Sequence, residues 1–184
     1  AAAVIDRLQH LGINQTVMLS GDNQRVADAV AAQVGVGYAR GDLMPDDKVT
    51  EISALRHRGG RVGMVGDGVN DAPAMARANV GIAMGAAGSD VALETADVAL
   101  MADDLKALPF AVDLSRRTSR VIKQNLWASL GIVAVLIPAT VLGLGIGPAV
   151  LIHEGSTLIV VFNALRLLAT PMSPLSADAG KGRV

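Results

Sequence analysis

No charged side chain occurs between Leu126 and Ile152, and that run rules out most of the ways a chain of this length can fold. It exceeds the roughly 20 residues with which one helix crosses a bilayer. Gly143, Gly145, Gly147 and Pro148 interrupt its second half. The pattern predicts two apolar helices joined by a tight turn, the first from Leu126 to about Leu142, the second from Ala149 to about Leu168. Trp127 stands at the entrance as an interfacial anchor, and Pro138 predicts a kink of the kind membrane helices tolerate. Arg116, Arg117, Arg120 and Lys123 precede the run, Lys181 and Arg183 follow it, and the turn holds neither Lys nor Arg. The positive-inside rule then puts both ends on the cytoplasmic side of a cell membrane, with Gly143–Pro148 outside. A buried helical hairpin in a soluble protein is the alternative. The length of the run and the basic cluster before it weigh against that.

Composition bounds the rest. A chain of 184 residues has room for one ordinary domain plus something small. Hydrophobic residues make up 51% and aromatics only 2%, so any core is built from Ala, Val, Leu, Ile and Met. A net charge of −1 offers no basic face for nucleic acid. The absence of cysteine excludes disulfides and thiolate metal sites within these residues. The chain opens on Ala1 without an initiator Met or a signal-peptide pattern, which predicts a piece of a longer protein.

The first hundred residues alternate between helical and extended signals. Val4, Ile5, Leu8 and Leu11 have helical spacing, with Gly12 as the stop. Thr16–Leu19 reads as a strand leading to Ser20-Gly21-Asp22, and Asp22 or Asn23 can cap a helix through Val26, Ala29, Val30 and Val34. Gly35-Val36-Gly37 closes it. After a turn at Gly41-Asp42, Pro45 opens a helix through Lys48, Ile52 and Leu55. Arg61–Val65 is a short buried strand, and Val80–Met84 and Asp97–Met101 are two more. Helix, strand, helix, helix, strand is the rhythm of an α/β parallel sheet.

The strand Arg61–Val65 runs into Gly66-Asp67-Gly68-Val69-Asn70-Asp71-Ala72-Pro73. The two glycines let the backbone turn sharply, and Asp71-Ala72-Pro73 looks like the opening of a helix. Two carboxylates at the C-terminal end of a strand suit Mg²⁺ with a phosphate beside it. Ser20 after one strand, Lys48 on a later helix and the Asp67/Asp71 pair after another strand together make a phosphoryl-transfer set. Ser20 and backbone N–H groups can hold phosphate oxygens, Lys48 can neutralise them and Asp67 can hold Mg²⁺.

This octapeptide resembles the hinge motif of P-type ATPases, within the haloacid dehalogenase superfamily. The order of the three groups matches the second to fourth motifs of that superfamily, with Ser20 where the pumps usually have Thr. Gly81-Ile82-Ala83-Met84-Gly85, Ser89-Asp90-Val91-Ala92, Glu94-Thr95-Ala96-Asp97-Val98 and Ser119–Asn125 look like the heavy-metal branch. The resemblance implies an α/β fold: a partial haloacid-dehalogenase-like parallel-sheet domain followed by a transmembrane helical hairpin. Its boundaries would be 1–110 for the C-terminal part of the phosphorylation domain, 111–125 for a connecting helix, 126–170 for two membrane helices and 171–184 for a cytoplasmic tail. It implies catalytic roles for Ser20, Gly21, Asp22, Lys48 and Asn70, Mg²⁺ at Asp67 and Asp71, and ATP as the substrate of the complete pump. The family's phosphoryl acceptor lies in Asp-Lys-Thr-Gly-Thr, which this chain lacks. Asp47-Lys48-Val49-Thr50 is only a partial likeness, so this polypeptide alone is expected to be inactive.

In the second apolar span, His153, Glu154, Ser156 and Thr157 offer imidazole, carboxylate and hydroxyl where polar groups are costly. That set suits a borderline divalent ion better than Cu⁺, which wants sulfur. The segment resembles the His-Glu-Gly-Gly-Thr signature of the cobalt/zinc-type subgroup, with Ser156 in place of the second Gly. The resemblance implies ATP-driven export of a divalent transition metal such as Co²⁺ or Zn²⁺, with the bilayer and the remaining pump domains as partners. A membrane-tethered phosphatase of the same superfamily, or an inactive fragment needing its missing half, are the alternatives.

Overall fold

The computed structural model describes residues 1–67, 70–85, 94–101 and 104–169. The sequence readings at Gly68, Val69, Ser89–Ala92, Pro171, Lys181 and Arg183 lie outside the described residues. The chain divides into two compact units at Pro109/Phe110.

The first unit carries α1 (Ala2–His10), β1 (Val17–Leu19), α2 (Gln24–Val34), β2 (Tyr38–Arg40), α3 (Pro45–His57), β3 (Gly63–Gly66), α4 (Ala72–Arg77), β4 (Val80–Met84) and β5 (Val98–Leu100). All strand pairings are parallel, in two groups: β1 with β2, and β3 with β4 with β5. Among the described residues, β1 and β3 each keep one edge without a partner strand.

The α/β pattern and parallel pairing agree with the sequence reading, but β2 is an addition to it. Tyr38-Ala39-Arg40 has no run of β-branched residues, and only its central side chain is buried. It is a strand because Ala39 packs on Ala27 and Ala31 of α2. Those small side chains let the helix lie close to the strand, a tertiary effect that local propensity does not encode. Asn23 is the residue that caps α2, its side chain accepting from the Val26 N–H at 3.0 Å.

The core beneath the third strand is Ile52 from α3, Met64 from β3 and Ala72, Ala74 and Met75 from α4. Leu19 at the end of β1 and Val49 of α3 pack against it. The residues just before Ser20 and just after Lys48 thus rest on the core that supports β3.

The second unit contains most of α5 (Ala107–Val141) and all of α6 (Ile146–Leu165), which ends in a 3₁₀ turn, Arg166–Ala169. Stretch 111–125 and the first apolar span are one continuous helix, with Pro138 in its last turns. The second helix starts at Ile146, ahead of the expected Ala149, because the N–H groups of a first turn have no intrahelical partner and Pro148 forfeits nothing there. Both helices are long and apolar enough to cross a membrane. Leu130, Ile137, Ile159 and Phe162 point outward, leaving apolar surface too extensive for water alone.

Candidate functional site

Asp67 follows β3 directly and is exposed. Asp71 begins α4, with Pro73 in the first turn. A Cβ built on Gly66 would lie 2.6 Å from the Asp71 Cβ and 2.8 Å from its Oδ2. Glycine at this position is what lets Asp71 fold back against the strand. Its other oxygen, Oδ1, accepts from Lys48 Nζ at 2.7 Å, and the two side chains are only 14% and 16% exposed.

Lys48 reaches Asp71 from the first turn of α3. Pro45 opens that helix, and Asp47 Oδ2 accepts from the Met44 N–H at 2.9 Å, closing its N-terminus. Asp47 therefore serves as a helix cap here. The starts of α3 and α4 meet in a charge-assisted hydrogen bond, which is shorter and stronger than a neutral one.

Ser20 sits in a loop tied to the one after β2. Its N–H donates to the Arg40 carbonyl at 2.9 Å, and its own carbonyl accepts from the Leu43 N–H at 3.1 Å. Ser20 Oγ donates to Asp22 Oδ2 and accepts from the Asp22 N–H, both at 3.1 Å. The Asp22 carbonyl accepts from the Asp42 N–H at 2.6 Å.

Sequence reasoning missed what holds these two loops together. Gln24 Oε1 accepts from the Gly41 N–H at 2.7 Å while its Nε2 donates to the Ala39 carbonyl at 3.1 Å. Asp42 Oδ2 accepts from the Gln24 N–H at 3.0 Å, and Asp42 adopts a left-handed φ of 55°. A Cβ on Gly41 would sit 2.5 Å from the Gln24 Cα, so the chain crosses the start of α2 at a distance only glycine allows. The Gly41-Asp42 pair was the one sequence signal for this, and it reads as an ordinary turn.

The structure thus brings Lys48 and Asp71 into contact and seats Ser20, Gly21 and Asp22 in a pinned loop next to the shared core. Asn70 is exposed between Asp67 and Asp71. No group of three or more metal-ligating side chains occurs among the described residues. Mg²⁺ fits this arrangement, since it is commonly held by one or two carboxylates, with phosphate and water completing the shell. Asp67 at the strand end is the hard oxygen donor suited to it, and Asp71 is engaged by Lys48.

On α6, His153 and Glu154 are exposed, whereas Ser156 is buried. Ser156 Oγ donates to the His153 carbonyl at 2.6 Å and Thr157 Oγ1 to the same carbonyl at 3.4 Å. Both hydroxyls turn onto their own helix, a common resort for Ser and Thr in apolar helices. Two turns further on, Asn163 Nδ2 donates to Asn125 Oδ1 at 2.7 Å, and Asn125 Nδ2 donates to the Val160 carbonyl at 3.3 Å. This amide pair joins α5 to α6, a contact that the sequence did not foretell.

A model of haloacid dehalogenase-like hydrolases matches residues 1–79. A probable cadmium-transporting ATPase of Listeria monocytogenes is 54% identical over 166 residues, which are 90% of this chain and 23% of that protein. A probable cation-transporting ATPase G of Mycobacterium tuberculosis is 49% identical over 167 residues, 90% of this chain and 21% of that protein. A crystal structure of a zinc-transporting PIB-type ATPase in the E2.Pi state superposes with a TM-score of 0.82 at 45% identity, covering 91% of this chain and 27% of that one. The chain spans under a quarter of the length of these curated relatives, and matches of this extent run through the first unit into the long helices. By fold, it is a haloacid-dehalogenase-like parallel-sheet domain followed by two long apolar helices, and over most of its length its sequence is similar to these cation-transporting ATPases.

Proposed function

We propose that the chain forms part of an ATP-driven exporter of divalent heavy-metal ions that works through an aspartyl-phosphate. The observation that carries this reading is the Lys48–Asp71 contact at 2.7 Å, set beside Asp67 at the end of a parallel strand. It holds a cation and a carboxylate next to the place where phosphate charge would develop. Lys48 would neutralise phosphate oxygens, Ser20, its hydroxyl turning from Asp22, and the Gly21 N–H would bind them, and Asn70 would support the phosphate site. Asp67, backed by Asp71, would hold Mg²⁺, which when bound spreads the charge of the transferred phosphoryl group. The acceptor aspartate would arrive on a further strand, for which β1 and β3 have open edges among the described residues. A tethered phosphatase would leave unexplained why the likeness to metal pumps continues through the long helices.

In this reading α5 and α6 cross the cell membrane with both ends cytoplasmic. His153 and Glu154 would offer ligands to the exported ion, with Ser156 and Thr157 turning outward from the His153 carbonyl to contribute. Relatives named for cadmium and zinc, and the imidazole–carboxylate set, favour Cd²⁺, Zn²⁺ or Co²⁺ over Cu⁺. Other spans of the complete protein would complete the coordination.

The test is metal-stimulated ATPase activity of the complete protein, with Cd²⁺, Zn²⁺, Co²⁺ and Cu⁺ offered separately. Asp67→Asn is expected to abolish phosphoenzyme formation from ATP. The His153→Ala, Glu154→Ala double variant is expected to lose divalent stimulation while still reacting with inorganic phosphate. Stimulation by Cu⁺ alone, or wild-type phosphorylation of Asp67→Asn, would refute the proposal.

A further inference from the structure

The charged end of the helical pair contains more positive charge than the exporter reading uses. Arg116, Arg120, Lys123 and Trp127 are spaced four, three and four residues apart, so they form one stripe along α5. With Ser119 and Gln124 they line an open groove of about 480 Å³. Arg120 also borders a smaller cavity of about 140 Å³, together with Arg117 and Val121 of α5 and Arg166 and Leu167 after α6.

Acidic residues do little to offset this charge. Arg117 is paired with Asp113 at 2.9 Å, and Glu154 is the only other acidic residue in the described part of the second unit. Twelve positions separate Glu154 from Arg166, which on a helix is about 18 Å. Among the described residues Arg116, Arg120, Lys123 and Arg166 have no ion-pair partner. Like charges gathered on one helix face repel one another, and burial of an anion among them relieves that repulsion.

The stripe also has a direction. It begins in the charged segment and ends at Trp127, which is 73% exposed, beside Leu126 and Leu130, which are 55% and 53% exposed. From Lys123 to Trp127 the rise is about 6 Å, comparable to one headgroup layer. A soluble anion has no use for the apolar end of such a groove. A phospholipid uses both ends, its phosphate among the cations and its acyl chains along the leucines and the indole.

We infer that Arg116, Arg120, Lys123 and Arg166 form a binding site for the headgroup of an anionic glycerophospholipid at the cytoplasmic end of the helical pair. Arg120 is the central residue, since it faces both cavities and its planar fork suits a phosphodiester. The inference rests on the reading that α5 and α6 cross the membrane.

The experiment uses the complete protein in nanodiscs of phosphatidylcholine containing a minority of phosphatidylglycerol. Lipids retained through mild delipidation are counted by native mass spectrometry, without reference to ATPase activity. Wild type is expected to retain phosphatidylglycerol in preference to phosphatidylcholine, and more weakly as salt rises. The Arg120→Gln, Lys123→Gln double variant should lose this preference, by roughly fivefold for each charge removed. Arg117→Gln should keep it, because that charge is already paired. Water-soluble glycerophosphoglycerol at equal concentration should not displace the lipid.

Equal enrichment in wild type and double variant would overturn the inference, as would displacement by the soluble headgroup, which would mark a free-phosphate site. Extraction of the protein from membranes by alkaline carbonate would remove the membrane reading and this site with it. Retained lipid preference in a protein without metal-stimulated ATPase activity would support the site and strike only the exporter reading.

Discussion

At Gly66 the backbone of β3 passes so near Asp71 that any side chain would strike it, with Asp71 Cβ 2.6 Å from the position of an added Cβ. Gly66→Ala must push the Asp71 side chain away and with it the oxygen that Lys48 holds at 2.7 Å. Overpacking of this kind costs about 1–3 kcal/mol. Lys48→Ala leaves the Asp71 carboxylate unpaired in a mostly covered site, a loss of about the same size. Both substitutions act through one carboxylate, so their effects on melting temperature and on phosphoenzyme formation are expected to be less than additive. Additive losses would show that Gly66 matters for some other reason. The importance of Gly66 was legible in sequence, but as freedom for a sharp turn of the backbone. That its nearest neighbour is Asp71 depends on the angle at which α4 leaves the strand.

At the scale of elements, polar side chains decide what packs where. Gln24, the first residue of α2, binds the backbone on both sides of the β2 terminus through one amide, and this holds the Ser20 loop against the Asp42 loop. Nothing in a lone Gln at a helix start announces that role. The long helices are joined in a similar way by Asn163 and Asn125. In an apolar setting such an interhelical hydrogen bond contributes about 0.6–1.7 kcal/mol. Asn163→Leu should therefore lower resistance to unfolding of the complete protein in mixed detergent by about that amount. Adding Asn125→Leu should cost little more, since its main partner is already gone. A full second decrement would mean the two amides act separately.

For the molecule as a whole, the decisive prediction is topological. The 184 residues contain no cysteine, so an introduced thiol in this part of the protein reports its own side of the membrane, provided the remainder is made cysteine-free. Leu144→Cys, in the turn between α5 and α6, is expected to react with a membrane-impermeant maleimide on intact cells. Ser119→Cys, in the basic segment, is expected to react only after permeabilisation. Labelling of both from outside, or of neither, would exclude a hairpin with cytoplasmic ends. The likeness to metal-transporting ATPases covers 90% of this chain and 23% of a relative.

The sequence by itself determined the class of fold and which residue types its candidate sites contain. The uncharged run, the helical spacing of small apolar residues and the strand–glycine–carboxylate order are all periodic or local, and local patterns survive without knowledge of what lies opposite. It also placed Lys48, Asp67 and Asp71 in one set, because a phosphate site needs a cation and carboxylates at strand ends. Only the tertiary structure decided that β2 is a strand, that Lys48 and Asp71 bind each other, that Gln24 locks two loops and that Asn125 meets Asn163. Besides the packing of Ala39 on α2, each of these depends on a partner 15 or more positions away along the chain. A hydrogen bond between distant residues forms only after packing has brought them within reach, and no pattern in either segment alone foretells it.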